Sequence, residues 1–427
     1  MESLSVKKLE DYPEETVTIT GWIHKINNLG QIAFVKLRNK EGIIQLVCSK
    51  DEIKGLRVEN CIAVTGKLVI NEKAPGGVEI QAEEIKVLGK VYYDKLPLEI
   101  SAYKSNDNIE KQLDYRTLSL RKPKTRAIFK VQNEIEDSFR DFFKKKGFSQ
   151  IHSPKIIDSS TEGGSEMFTV NYFDHRAFLA QSPQFYKQMM VGAGFERVFE
   201  VGNAYRAELH NTWRHLNEYV SLDIEMAFIQ DENDLMDLEE EFINYLYGRL
   251  NKVCSKELAI YKITLPEEVK IPRIPLKKVQ DILLAEYGKK SPIGNVDAEG
   301  EKLICRYVKE HYGCELVFIT EYPVKKRPMY TMPDGKGNTK SYDLIYDGLE
   351  ITTGGQRIND YEMLKKNVES FGLKTEDFKF YLDTFKYGMP PHGGFAIGLE
   401  RLTMKVLKLS NIREAALLPR DLKRLVP

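Results

Sequence analysis

From Glu15 to about Val91 the chain alternates apolar and polar residues in short runs: TVTITGWIHKI, IAFVKLRN, GIIQLVCS, CIAVTGKLVI and GGVEIQAEEIKVL. A period of two sorts side chains onto opposite faces of a strand, and the turn sequences NNLG, NKEG and KAPGG separate the runs. Five short strands predict a small closed barrel of the OB type, a fold that often binds single-stranded nucleic acid; a barrel without a ligand would carry the same pattern. The polar stretch KSNDNIEKQLDYRTLSLRKPKTR, with Pro123, reads as a connector. At Ala127 the period changes. Ile128, Val131, Ile135, Phe139, Phe142 and Phe143 recur at three- and four-residue steps, the apolar stripe of a helix that ends in lysines and Gly147. After FSQIHSPKII, strands (RAFLA, VFEVG, YDLIYDGLEI, GGFAIG) mix with helices, without internal repeats. The expected fold is α+β: a barrel over 1–100, a hinge over 101–126, and over 127–427 a domain built on an antiparallel sheet flanked by helices.

Composition narrows the class. A chain of 427 residues, 42% hydrophobic and 30% charged, can bury a large core. No stretch approaches the roughly 20 apolar residues of a membrane span, and the first residues, MESLSVKKLEDYPEE, lack the apolar region of a leader, so the expected compartment is the cytoplasm. The cysteines Cys48, Cys61, Cys254, Cys305 and Cys314 form no C-x-x-C pair, which argues against a disulfide framework or a zinc site. A formal net charge of zero argues against nucleic-acid binding by bulk charge. The cations between Lys104 and Lys130 form either a local basic face or an ordinary solvated connector.

Four segments are dense in Arg, Glu, Asp and Gly. YRAELHNTWRHLNEYVSLDIEM holds Arg206, Glu208, Arg214, His215, Glu218, Asp223 and Glu225 on what reads as two strands and a loop, with Asp223 and Glu225 on one face. YDLIYDGLEITTGGQR holds Asp343, Glu350, Thr353 and Arg357. PPHGGFAIGLERL ends in Glu400 and Arg401. TEGGSEMF and LAQSPQFYKQ supply Glu162, Ser182, Gln184 and Lys187. Each charge alone reads as a surface group. Together, acids that can hold a cation and arginine forks that grip phosphates are what a magnesium-nucleotide site needs. There is no P-loop, no G-x-G-x-x-G and no G-x-S-x-G.

On these segments the sequence resembles class II aminoacyl-tRNA synthetases, in particular their short archaeal-type aspartyl members. The helix from Ala127 with the strand ending at Pro154 is similar to the family's first motif, YRAE…RHLNEYVSLDIEM to its second and GGFAIGLERL to its third. The resemblance implies an ATP- and magnesium-dependent ligase that activates aspartate. Arg206, the catalytic arginine, would bridge the substrate carboxylate and the α-phosphate. ATP would lie against Glu208, Arg214, His215, Leu216, Tyr219, Glu350 and the segment Gly398, Leu399, Glu400, Arg401. Glu350, Asp343 and Thr353 would hold magnesium, and His392 would either reach the γ-phosphate or serve as a buried structural residue. Lys187 and Arg357 would take the aspartate side chain, while Asp223, Ser182, Gln184 and Glu162, with Thr353 alongside, would complete the amino-acid site.

The resemblance also implies partners: a tRNA read by the barrel, a second copy of the chain across the helix Ile128 to Phe143, and no membrane. Phe34 and Gln45 match positions that stack on and hydrogen-bond the central anticodon uracil. Relatives that reject tRNA-Asn carry a Trp and a Lys where this chain has His24 and Pro75, so the enzyme is expected to charge both tRNA-Asp and tRNA-Asn. An Asp-tRNA-Asn amidotransferase would then be a functional partner. Strict tRNA-Asp specificity, an asparaginyl enzyme and a non-catalytic RNA-binding paralogue are the alternatives.

Overall fold

A computed structural model describes residues 14–74, 76–100, 107–158, 167–210 and 212–427. Pro75, Lys104 and Glu162 lie outside the described residues. The chain divides into two compact units, Met1–Lys122 and Pro123–Pro427.

The first unit is a closed barrel of β1 (Thr16–Leu29), β2 (Ile32–Arg38), β3 (Ile43–Ser49), β4 (Cys61–Ile70) and β5 (Val78–Gly89), in the order β1-β2-β3-β5-β4. The alternation works as expected: Val17, Ile19, Ile23, Val35, Leu37, Ile44, Leu46, Ile62, Val64 and Ile80 fill the interior. The expected connector is not structureless. It holds helices Ile109–Asp114, capped by the Asn108 side chain, and Arg116–Ser119. Of its described cations, Lys111 and Lys122 pair with Asp107, Arg121 with Glu59, and Lys130 with Glu257.

The second unit opens with a helix from Pro123 to Lys145, four residues earlier than Ala127. Proline is pre-shaped for a first helical position, where its missing N–H costs nothing. The apolar stripe packs inside the same subunit: Phe139 meets Phe242 at 5.4 Å between ring centroids, and Phe143 meets Phe395 at 6.2 Å. The stripe therefore supplies no argument for an interface between copies, because its surface is already spent on the core.

That core lies against an eight-stranded sheet of β6 (Ser149–Gln150), β10 (Arg197–Tyr205), β11 (Glu218–Ala227), β12 (Arg273–Pro275), β13 (Leu316–Thr320), β14 (Ser341–Tyr346), β15 (Leu349–Arg357) and β16 (His392–Gly398). Its order is β12-β13-β14-β15-β16-β11-β10-β6. The sheet is antiparallel from β13 to β10 and parallel at both edges, so it is mixed rather than wholly antiparallel. A small second sheet joins β7 (Ile156–Ile157), β8 (Thr169–Tyr172) and β9 (His175–Leu179). The five cysteines are free thiols. No helix among the described residues is long and apolar enough to cross a membrane.

Candidate active site

On β11 the residues Tyr219, Ser221, Asp223 and Glu225 share one face, while Leu222 and Ile224 occupy the other, fully buried. Register extends the polar face sideways. Asp343 opposes Thr353, Thr353 opposes Ala396, and Ala396 opposes Asp223, giving one row across β14, β15, β16 and β11. Strict alternation would turn Glu350 away from Thr353. A bulge corrects this: Thr352 pairs with Leu344 and Glu350 with Ile345, so Ile351 is an extra residue and Glu350 swings to the face of Asp343. Thr353 Oγ1 then lies 2.9 Å from Asp343 Oδ1 and 3.1 Å from Glu350 Oε1.

At one end of this face is a knot of buried charge. Lys187 Nζ, on the helix Gln184–Met190, lies 3.0 Å from Asp223 Oδ1 and 3.4 Å from Glu225 Oε2. Arg357 donates through Nε to Glu225 Oε1 at 3.1 Å and through Nη2 to the Gly394 carbonyl at 2.8 Å. Ser221 Oγ donates to the far oxygen of Asp223 at 2.5 Å, and Ser182 Oγ accepts from the Gln184 amide at 3.1 Å. Burial opposes ionisation of Glu225, but Arg357 and Lys187 outweigh it and hold its carboxyl below the usual range. Gly394 makes room for the knot, since a Cβ there would stand 2.1 Å from the Ile224 carbonyl and 2.2 Å from Glu225 Oε2. Glu225 was legible only as a companion of Asp223. Its place between both cations is a finding of the structure.

At the other end a cavity is lined by Arg206, Glu208, Arg214, His215, Leu216, Tyr219, Glu350, Thr353, Gly398, Glu400 and Arg401. Leu399, between the lining residues Gly398 and Glu400, is buried as the first residue of the helix Leu399–Val406. Arg206 stands 5.6 Å over the Tyr219 ring, and Arg401 donates to the Glu350 carbonyl at 2.9 Å. Arg214 grips Glu301 of the helix Ala298–Tyr312 at 2.8 and 3.3 Å. Nothing in the sequence around Glu301 signalled this partner, 87 residues away.

Several charges here are displaced from their ordinary values. Burial and the neighbouring Arg401 push His215 down to about 4, so its ring is neutral at pH 7. Burial pushes Glu400 up to about 8, although the Val220 amide donates to its carboxylate at 3.2 Å. Burial works against ionisation of Glu350, yet Arg401 and Arg327 hold its carboxyl below the usual range. Asp343 moves the other way, raised by burial against the pull of Arg327, with Glu350 adding to the rise. His392 is fully enclosed, its Nδ1 2.9 Å from the Pro390 carbonyl, and burial takes it down to about 4; it is the structural residue of the two readings.

In the barrel, Phe34 and Gln45 are half-buried on β2 and β3, where Phe34 opposes Val47 and Gln45 opposes Lys36. Gln45 Nε2 donates to Glu79 at 2.9 Å. His24 lies on β1. The β1–β2 register slips between Ile23 and Lys25, His24 is the bulge residue, and its ring turns inward at 8% exposure. Burial and Arg38 lower its pKa, and the neutral ring accepts from Arg38 Nη1 at 3.2 Å. Arg38 also forks Glu59 at 2.9 and 2.7 Å, and Arg121 reaches the same carboxylate at 2.8 Å. A histidine held this way has little of its ring open to solvent, and its hydrogen-bond partner is Arg38.

Comparison with known proteins places these features in context. The family model "tRNA synthetases class II (D, K and N)" matches residues 108–422, and "OB-fold nucleic acid binding domain" matches residues 17–88. The Methanopyrus kandleri protein named aspartate--tRNA(Asp/Asn) ligase is 44% identical over 423 residues, covering 97% of this chain and 96% of that one. The Pyrococcus abyssi aspartate--tRNA(Asp) ligase is 43% identical over 430 residues, covering 98% of each. Among solved structures, asparaginyl-tRNA synthetase from Pyrococcus horikoshii with asparaginyl-adenylate superposes with a TM-score of 0.93 at 30% identity, over 100% of both chains. A putative aspartyl-tRNA synthetase from Leishmania major gives 0.90 at 30% identity, over 100% of this chain and 95% of that one.

Proposed function

The chain belongs to the class II tRNA synthetases of the D, K and N group, and from that premise we propose that it is an aspartate–tRNA ligase that charges both tRNA-Asp and tRNA-Asn. The observation that carries the amino-acid choice is the convergence of Lys187 and Arg357 in a buried site. Two cations with fixed partners suit a substrate that brings a second carboxylate. Near-full-length relatives named as aspartate ligases, at 42–45% identity, support the same choice. Asparagine is the second reading, favoured by one feature: Asp223 and Glu225 already neutralise the two cations. Exchange of pyrophosphate into ATP, driven by aspartate but not by asparagine or lysine, decides between them.

The mechanism follows from position. Aspartate lies with its side chain toward Lys187 and Arg357 and its amino group near Asp223, Gln184 and Ser182. ATP fills the cavity, its adenine between Tyr219 and Arg401. Arg206 brings the α-carboxylate against the α-phosphorus; the carboxylate oxygen attacks in line, the bond to pyrophosphate breaks, and the aspartyl adenylate forms. The 3′-hydroxyl of the tRNA then attacks the mixed anhydride, and AMP leaves. No side chain serves as a general base; Arg206 and the enclosed geometry lower the barrier by orienting the reactants and offsetting charge on phosphate oxygens.

Magnesium fits the residues present. Among the described residues no cluster of three or more His, Cys, Asp or Glu occurs. Magnesium needs no such cluster, since it takes one or two carboxylates and completes its shell with phosphate oxygens and water. Glu350 and Asp343, bridged by the Thr353 hydroxyl, would hold it. When bound, it supplies positive charge to the departing pyrophosphate.

The barrel would read the anticodon through Phe34 and Gln45. Dual tRNA use rests on the absence of a Trp and a Lys at positions 24 and 75, and it makes an amidotransferase acting on Asp-tRNA-Asn the natural functional partner. The compartment we propose is the cytoplasm. A homodimer is also proposed. Its support is the exposed apolar surface of the small sheet, where Ile156 is 51% and Phe173 89% exposed, and not the helix stripe. A monomeric mass by light scattering at micromolar concentration would contradict it.

A further inference from the structure

Thr353 offers one hydroxyl proton to two carboxylates, Asp343 and Glu350. Two acids sharing one donor repel each other unless a cation stands by. The nearest is Arg327, which stands in the basic run KKRP and has no motif to mark it. Arg327 Nη1 lies 2.9 Å from Asp343 Oδ1, with the two side chains 8% and 9% exposed. Its guanidinium carbon stands 3.8 Å from the centre of the Tyr322 ring. Among the described residues its Nε and Nη2 find no acceptor although both are buried. Burying charged donors without partners costs free energy. An apolar side chain could fill the space without those orphaned donors, so what the guanidinium brings to this position is its charge and its planar shape.

We infer that Arg327 is a positioning residue for the divalent-cation site: it fixes the Asp343 carboxylate, and through Thr353 the angle of Glu350, before any cation arrives. The inference rests on the reading of Asp343 and Glu350 as the cation site. Arg327 does not line the nucleotide cavity. It acts through Asp343, anchored from behind by the flat face of Tyr322.

The test is Mn²⁺ titration of the full-length protein, followed by electron paramagnetic resonance with a non-hydrolysable ATP analogue present. Arg327→Met, which keeps bulk over Tyr322 but not charge, is expected to weaken Mn²⁺ binding by about tenfold or more, as removal of a group that orients a metal ligand commonly does. The magnesium concentration for half-maximal exchange should rise in step while the KM for aspartate stays within about twofold. Arg327→Lys restores charge without the planar fork and should fall between the two. Wild-type Mn²⁺ affinity in Arg327→Met overturns the inference; if that variant fails to fold, wild-type affinity in Arg327→Lys overturns it instead. Glu350→Gln separates the inference from its premise: loss of Mn²⁺ binding there with none in Arg327→Met removes only Arg327, whereas unchanged binding in Glu350→Gln removes the cation site and the inference with it.

Discussion

Glu225 sits between two cations and one amide with no exposure to solvent, so its charge is held entirely by Lys187, Arg357 and Gln184. Removing a partner from such a buried group leaves an uncompensated charge. Glu225→Gln should cost on the order of 3 to 5 kcal/mol of stability, read as a fall in urea midpoint, and should abolish aspartate activation. Lys187→Ala and Arg357→Ala should each lose on the order of 3 to 5 kcal/mol in kcat/KM for aspartate. A different buried acid contributes to the pH dependence of the fold. Glu239 has no exposure, and burial raises its pKa to about 8. Its ordinary value is about 4.3, so between about pH 4 and 8 the native state keeps a proton that the unfolded chain gives up. Its contribution is therefore full in acid and is lost as the pH rises toward 8. Glu239→Gln should flatten that decline: thermal midpoints similar to wild type near pH 4.5 and higher near pH 8. Parallel curves for the two proteins would contradict the assignment.

At the scale of elements, strand alternation and helix periodicity were readable wherever the chain keeps a strict period. They gave the barrel, the helix Pro123–Lys145 apart from its first turn, and the shared face of Asp223 and Glu225. They failed where a single extra residue breaks the period. The Ile351 bulge brings Glu350 into the site, and the bulge at His24 turns that ring inward, yet neither leaves a mark in the pattern of apolar residues. Partners distant in sequence, such as Glu301 for Arg214, were equally invisible, because a surface-like Glu on a helix has the same sequence signature whether or not an arginine folds onto it. Residue types were more informative than geometry: all four charged segments contribute described residues to the two ends of one sheet face. The tightest of these contacts gives the element-scale prediction. Gly394→Ala places a methyl on the Ile224 carbonyl and on Glu225, so β16 must move away from β11. Aspartate-dependent exchange should fall by at least about a hundredfold, a 1 Å displacement of reacting groups being worth that much. Exchange near wild type would show that the strand pair yields without disturbing Glu225.

The two compact units divide the work of the whole molecule. The residues proposed to hold aspartate and ATP all fall within Pro123–Pro427 and those proposed to read the anticodon within Met1–Lys122, so substitutions in the barrel should alter charging of tRNA and leave adenylate formation alone. His24→Trp, which must break the contact with Arg38, is expected to change the ratio of charging on tRNA-Asp and tRNA-Asn transcripts with pyrophosphate exchange unchanged. A wild-type preference for tRNA-Asp above roughly a hundredfold, about 3 kcal/mol, would make the enzyme a discriminating one. The central claim is the chemistry of the second unit, and ATP/pyrophosphate exchange with purified full-length protein tests it most directly. Magnesium-dependent exchange with aspartate, and only background exchange with asparagine or lysine, is the predicted result; exchange with asparagine equal to that with aspartate would contradict it.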